Sequence, residues 1–414
     1  MASSQKYWRN VLPLCFVLLI DAMSFGFVLP VMGPLLFGPG DTIVSISTAI
    51  ETRNFYYSAI FALPMIMLFL GAPVLGDLSD IIGRKKSMLI ALLGVALSCA
   101  IAVSSIMLGS ILLLLFSRGL LGFMDGSESI AQAAMADISM SSKEKVINMS
   151  LITLAASLGF ALGPMLGGYA VEHPLFAVSG IEAPFVLAGT LALINAGCLA
   201  VFFEDTYIPN NTKKISFLRS FHNLTLAFKK GGLRWLSVVY LCIQFAWGLY
   251  FQATSLILFE TFKYTPSQLG WFMTTLSLIF IVSLLVIIRI LLRYLRLITI
   301  VLLALPLIAA GGILPFVVQT EQALWWSLLP TTIGIAISYN TLLSLLSNCV
   351  DKDNQGKVMG ISVALVAVAW SLASLANPFL FSNHHFIPFA VVAAVALLAI
   401  PAVVRFLKTN SLNS

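Results

Sequence analysis

Charge is what this chain has least of. Only 10% of its 414 residues are Asp, Glu, Lys or Arg, against about a quarter in a soluble domain. So few charges cannot cover a water-facing surface, which excludes a soluble enzyme and a disordered chain. Cysteine is also scarce. The five present (Cys15, Cys99, Cys198, Cys242, Cys349) are odd in number, form no C-x-x-C pair and lie in or beside apolar runs. They read as free buried thiols rather than a disulfide framework or a metal or redox centre. No G-x-x-x-x-G-K-[ST] loop is present, so ATP-driven chemistry is not encoded. No cofactor and no metal is expected, and His384-His385 reads as an interfacial pair in an outer loop.

Apolar residues are what is there: 59% of the chain, or about 244 of 414, with mean hydropathy +1.00. A membrane helix needs about 20 apolar residues, so twelve need roughly 240. Apolar segments recur at about 10–37, 54–76, 87–108, 110–136, 147–171 and 183–203, then at 232–259, 268–292, 297–318, 324–349, 357–381 and 386–407. The first follows Lys6 and Arg9 but runs through Pro30 to about Phe37, too long for a signal-peptide core, and so reads as an uncleaved span. The expected organisation is a six-helix half over 1–203, a basic linker over 204–231 and a second six-helix half over 232–414. In the linker Phe217, Leu218, Phe221, Leu224 and Phe228 recur at helical spacing, the pattern of an interfacial amphipathic helix, with a flexible tether as the alternative.

The net charge of +6 is informative by position, not as a nucleic-acid footprint. With these spans, 20 of the 23 Lys and Arg fall on one side: Lys6, Arg9, Arg84, Lys85, Lys86, Lys143, Lys145, Lys213, Lys214, Arg219, Lys229, Lys230, Arg234, Arg289, Arg293, Arg296, Lys352, Lys357, Arg405 and Lys408. The opposite loops hold Arg53 and Lys263 alone, and Arg118 falls inside a span. The positive-inside rule then puts both termini and the linker in the cytoplasm.

The first basic hairpin reads Gly76-Asp77-Leu78-Ser79-Asp80-Ile81-Ile82-Gly83-Arg84-Lys85-Lys86. Two glycines suit a tight turn, and Asp80 and Arg84 supply charges that can pair and part. The order of these residues resembles the loop between spans two and three of the major facilitator superfamily. Further motifs are similar to its drug:proton antiporter branch, which contains the tetracycline efflux pumps. They are Asp21 to Gly26 followed by Leu29-Pro30-Val31 on span one, Arg118 with Gly122 and Ala136-Asp137 on span four, and Gly159 to Gly168 on span five. In the second half Val350-Asp351, Gln355-Gly356, Gly360 and Pro378 to Phe381 are weaker matches. The chain departs from the pattern where Arg289, Arg293 and Arg296 stand without the glycine and aspartate of a second hairpin motif, and where Asn377 replaces a glycine before Pro378. The resemblance implies an all-α integral membrane protein of twelve helices in two six-helix halves, the major facilitator fold. It also implies a transporter rather than an enzyme, a cytoplasmic gate at Gly76, Asp80, Gly83 and Arg84, and a bacterial inner membrane as location.

On span five, Gly159 and Gly163 are four apart, the spacing that lets helix backbones meet. Pro164, Gly167 and Gly168 extend this packing motif. Ionisable residues inside a membrane are costly, about 2.5–3.5 kcal/mol each, and four fall within the spans: Asp21, Arg118, Asp125 and Glu128. On one continuous helix Arg118 and Asp125 would share a face, with Glu128 a little way round. Two close carboxylates in low dielectric cannot both ionise cheaply, which is the property a proton carrier needs. A static Arg118–Asp125 pair, or direct binding of a cationic solute, are the alternatives. The second half holds no charge in its spans. Gln244, Trp247, Tyr250 and Gln252 on span seven, with Tyr339 and Asn340 on span ten, would suit an aromatic-lined cavity for an amphiphilic molecule. The sequence thus predicts a monomeric, proton-coupled exporter of a small organic solute working by alternating access. A proton-coupled importer of a metabolite or siderophore is the alternative.

Overall fold

The computed structural model describes residues 2–38, 43–45, 47–139, 142–173, 180–205, 215–229, 231–349 and 355–411. Lys213, Lys214, Lys230, Val350, Asp351 and Lys352 lie outside them, and the side chains of Lys6, Arg9, Lys143, Lys145 and Lys357 are likewise not described. Regular structure among the described residues is helical throughout.

The helices run α1 (Ala2–Val28), α2 (Met32–Phe37), α3 (Ile50–Ile82), α4 (Arg84–Met107), α5 (Ile111–Met124), α6 (Ser127–Ile138), α7 (Ser142–Glu172) and α8 (Ala183–Phe202). They continue with α9 (Arg219–Lys229), α10 (Gly231–Glu260), α11 (Pro266–Val282), α12 (Ile288–Tyr294), α13 (Leu297–Val318), α14 (Glu321–Asn348), α15 (Gln355–Asn383), α16 (Ile387–Leu398) and α17 (Ile400–Ser411). A π-helical segment, Ser283–Ile287, joins α11 to α12. Eleven of the resulting spans are long and apolar enough to cross a bilayer. The fourth segment expected from the sequence is broken in two. Asp125 (φ −77°, ψ 40°) ends α5 and Gly126 (φ −100°, ψ 1°) precedes α6, so residues 111–138 cross as two short helices.

The chain forms two compact units. Unit 1 comprises Met1–Phe217 with Tyr264–Thr275, and unit 2 comprises Leu218–Lys263 with Leu276–Ser414. In unit 1 an apolar cluster around Val11, Leu14, Leu18, Met88, Leu92, Ile130, Ala134 and Leu199 joins α1, α4, α6 and α8. Glycines let these helices touch. On α7, Gly159 lies against the Leu19 carbonyl and Ala22, Gly163 against the Met23 carbonyl and the Gly26 Cα, and Gly167 against the Phe27 backbone. All three therefore seat α1. The other face of α7 seats the start of α11: Gly168 meets the Pro266 carbonyl, Gly270 meets the Pro164 carbonyl, and the Thr274 hydroxyl donates to the Ala161 carbonyl at 2.8 Å. The glycine run of span five thus serves two partners. Gly71 on α3 and Gly122 on α5 make a third close approach, each against the other helix's backbone.

Unit 2 packs α13 on α14 in the same way, with Gly311 against Thr331 and Gly334 against Ile308 and the Ala304 carbonyl. In the linker, α9 turns a small-polar face inward, burying Ser220, Asn223 and Ala227. Phe221 is exposed on α9, as are Phe217 and Leu218 just before it.

Candidate functional site

Two clusters of ionisable groups form within unit 1. The first is built where α1 passes the break between α5 and α6. Asp21 and Asp125 lie within hydrogen-bonding reach of each other through their carboxyl groups. The Ser127 hydroxyl, at the start of α6, donates to Asp21 Oδ2 at 2.8 Å. Glu128 follows in the first turn of α6 and accepts from Gln132 Nε2 at 3.0 Å. Asp21 and Asp125 are half-buried, while Glu128 is exposed. A carboxylate can only accept, so a hydrogen bond between two carboxyl groups exists when one of them carries a proton. Glu128 is the third acid of the cluster.

The sequence reading of a single charged stripe is corrected here. With the helix broken at Asp125–Gly126, Arg118 does not share a continuous face with Asp125 and Glu128. Arg118 makes no ion pair among the described residues, so the static Arg118–Asp125 pair is not formed. It is 5% exposed with no partner for its Nε. It lines a cavity of about 10 Å³ with Ser24, Ser98, Cys99 and Ser117, room for about one water.

The second cluster sits at the α3–α4 turn. Gly83 has φ +98°, a conformation natural to glycine, and turns the chain from α3 into α4. Gly76 does not belong to that turn. It lies inside α3, and a Cβ added there would meet nothing within 4 Å. The tight turn expected of both glycines is therefore made by Gly83 alone, because α3 continues a full six residues past Gly76. Arg84 is 8% exposed and its guanidinium meets Asp80 at 2.7 Å, Asp137 at 3.2 Å and the Ser79 hydroxyl at 2.5 Å. Asp205 accepts from the backbone N–H of Arg84 at 3.1 Å and of Lys85 at 3.3 Å, satisfying donors that open α4. Asp77 is fully buried and accepts from the Ser216 N–H at 3.0 Å.

The six residues singled out on spans seven and ten differ in burial. Gln244, Tyr250 and Gln252 are buried in unit 2, whereas Trp247, Tyr339 and Asn340 are partly exposed. Trp247 stacks on Tyr250 with centroids 6.3 Å apart, Tyr250 donates to or accepts from Ser327 at 2.7 Å, and Tyr339 packs near Tyr240. His385 stacks on Phe381 and contacts the Thr261 hydroxyl at 3.2 Å.

Ser127, Gln132, Asp205 and the Asp137 contact escaped the sequence reading. Asp125-Gly126-Ser127 carries a turn signal in its Asp-Gly step, which would have marked both the break and the serine that starts α6. Nothing in sequence joins Asp205 to a backbone 121 residues away.

Long apolar helices in two compact units, with carboxyl groups and a guanidinium inside them, are the build of a multi-pass membrane protein. The model described as Major Facilitator Superfamily matches residues 14–374, and the chain belongs to that superfamily of transporters. It is 25% identical to the tetracycline resistance protein, class H, of Pasteurella multocida over 90% of this chain and 89% of that one. It is 33% identical to major facilitator superfamily domain-containing protein 10 of Homo sapiens over 38% of each chain. The crystal structure of the human organic anion transporter MFSD10 (TETRAN) superposes with a TM-score of 0.72 at 22% identity, covering 96% of this chain and 99% of that one.

Proposed function

We propose that this chain is a proton-coupled exporter of a small organic solute, working by alternating access in a bacterial inner membrane with both termini cytoplasmic. The observation that carries the reading is the Asp21–Asp125 carboxyl pair, steadied by Ser127 and flanked by Glu128. Such a pair holds one proton between two oxygens and gives it up when the surroundings of either acid change. A proton entering from outside would settle on this pair, and its release to the cytoplasm would be exchanged for outward movement of solute. The tetracycline resistance relative aligned over nine-tenths of the chain supports the outward direction. Arg84, with Asp80 and Asp137, holds the cytoplasmic gate, and Asp205 fixes the turn that presents it.

Everted vesicles energised with a pH gradient test this. Tetracycline and other amphiphilic drugs are added and proton release from the lumen is followed. D125N combined with E128Q is expected to abolish drug-induced release; release that persists in the double variant overturns the coupling assignment.

A second reading rests on Arg118, whose buried Nε has no partner. A buried guanidinium with a free Nε inside a span suits a solute with an anionic group, and the human structural neighbour is described as an organic anion transporter. Proteoliposome counterflow separates the two: exchange of an organic anion in place of tetracycline favours this one.

A further inference from the structure

Two guanidiniums from distant parts of unit 2 converge on one indole ring. Arg234, in the first turn of α10, and Arg405, on α17, each place Cζ 4.9 Å from the centroid of Trp235. The two like charges therefore lie within 9.8 Å of each other, the sum of those distances. Neither guanidinium has a carboxylate partner among the described residues. The described carboxylates of unit 2 are Glu260 and Glu321. Glu260 closes α10, 26 residues along the helix from Arg234, a distance of about 39 Å at the α-helical rise. The described charged groups on α9 and α17, which both pack on α10, are basic: Arg219 and Lys229 on α9, and Arg405 with Lys408 one turn beyond it on α17. Arg234 and Arg405 are exposed and Trp235 is half-buried.

Beside the arginines the surface turns apolar. Leu398, Val404 and Leu407 are 72%, 41% and 40% exposed, on helices that cross the membrane. A tryptophan at the level where a span meets its basic flank is a headgroup-depth anchor, and a basic pocket between helices on that side is the setting for anionic lipid headgroups. Paired guanidiniums match a phosphodiester, and the apolar strip offers a path for the acyl chains that a free phosphate lacks.

We propose that Arg234, Trp235 and Arg405 form a binding site for the phosphate headgroup of an anionic phospholipid, at the end of α10 and α17 where basic residues collect. The lipid phosphate supplies the counter-charge that the described residues do not provide there.

Native mass spectrometry on the purified full chain tests this. Phosphatidylglycerol, cardiolipin and phosphatidylcholine of matched acyl length are titrated in, with inorganic phosphate and glycerol 3-phosphate as tail-free competitors. The anionic lipids are expected to bind in preference to phosphatidylcholine. R234Q with R405Q is expected to weaken phosphatidylglycerol about thirty-fold, R234K with R405K to retain most of the affinity, and the tail-free phosphates not to compete. Equal affinity in the wild type and the double glutamine variant, or competition by inorganic phosphate, overturns the site. Quenching of tryptophan fluorescence by brominated phosphatidylglycerol gives a readout on the arginine-intact protein. W235F should lose a share of that quenching, and unchanged quenching counts against the site.

Discussion

Unit 1 buries two of its arginines, Arg84 to 8% and Arg118 to 5% exposure, whereas in unit 2 every described arginine (Arg219, Arg234, Arg289, Arg293, Arg296, Arg405) is exposed. The polar groups that unit 2 does bury are neutral, such as Gln244, Tyr250, Ser327, Thr331 and Ser338. Charge in a membrane interior costs free energy that must be recovered through pairing or function. Unit 1 carries that cost at two places, the carboxyl pair beside the helix break and the Arg84 cluster at the turn. Unit 2 avoids it and keeps its charge where water or headgroups can solvate it. Both units are built of long apolar helices, yet their chemistry differs. The proposed titration and gating fall in the first, and the second buries aromatic and amide groups.

The contrast can be broken most decisively at the acids. Asp125→Asn with Glu128→Gln should reduce drug-coupled proton flux to background, while Gln244→Leu in unit 2 should leave the proton-to-drug ratio unchanged; both are read in the same vesicles. Next comes the turn. Removing Arg84 leaves Asp80 and Asp137 without their counter-charge, and R84A should cost about 3 kcal/mol, read as thermal unfolding in detergent. R293A, on an exposed stretch of unit 2, should stay within about 0.5 kcal/mol. The glycines sharpen the picture inside unit 1 alone. A side chain at Gly122 would run into the Pro64 backbone, so G122V should destabilise by about 1–3 kcal/mol. G76A, in open space within a helix, should be neutral or stabilising by up to about 1 kcal/mol. The smallest effect is expected at the turn between α15 and α16 of unit 2. Burial and the adjacent His384 hold the His385 imidazole below its ordinary range. Its contribution to stability is therefore present above about pH 6.5 and lost as pH falls through the lowered value. The melting temperature should drop slightly on acidification below that point, and H385Q should flatten the slope.

The spans were legible because each is a run of apolar residues long enough to cross hydrocarbon, a signal that needs no partner. The expected segments 297–318 and 183–203 fall almost on α13 and α8. The acids were legible too, as rare charges in apolar surroundings. Their arrangement was not, since helical periodicity presumes an unbroken helix and Asp125–Gly126 ends one. The Arg84 cluster was half visible: Asp80 lies one turn away, but Asp137 and Asp205 arrive through tertiary packing from 53 and 121 residues along the chain. Gly76 misled for the opposite reason, its motif position suggesting a turn where the backbone simply continues as helix.

The break also gives α6 a mechanical identity. Twelve residues make a rod about 18 Å long, uncoupled from α5 by the turn above it. Ser127 at its upper end touches Asp21, and Asp137 in its last turn holds Arg84. A stiff rod gripped at both ends is a lever: tilting it at the carboxyl pair displaces Asp137 at the other end. On the proposed coupling, loss or gain of a single proton at one end of this rod would change the grip on the guanidinium at the other, with no need for the rest of the span to move.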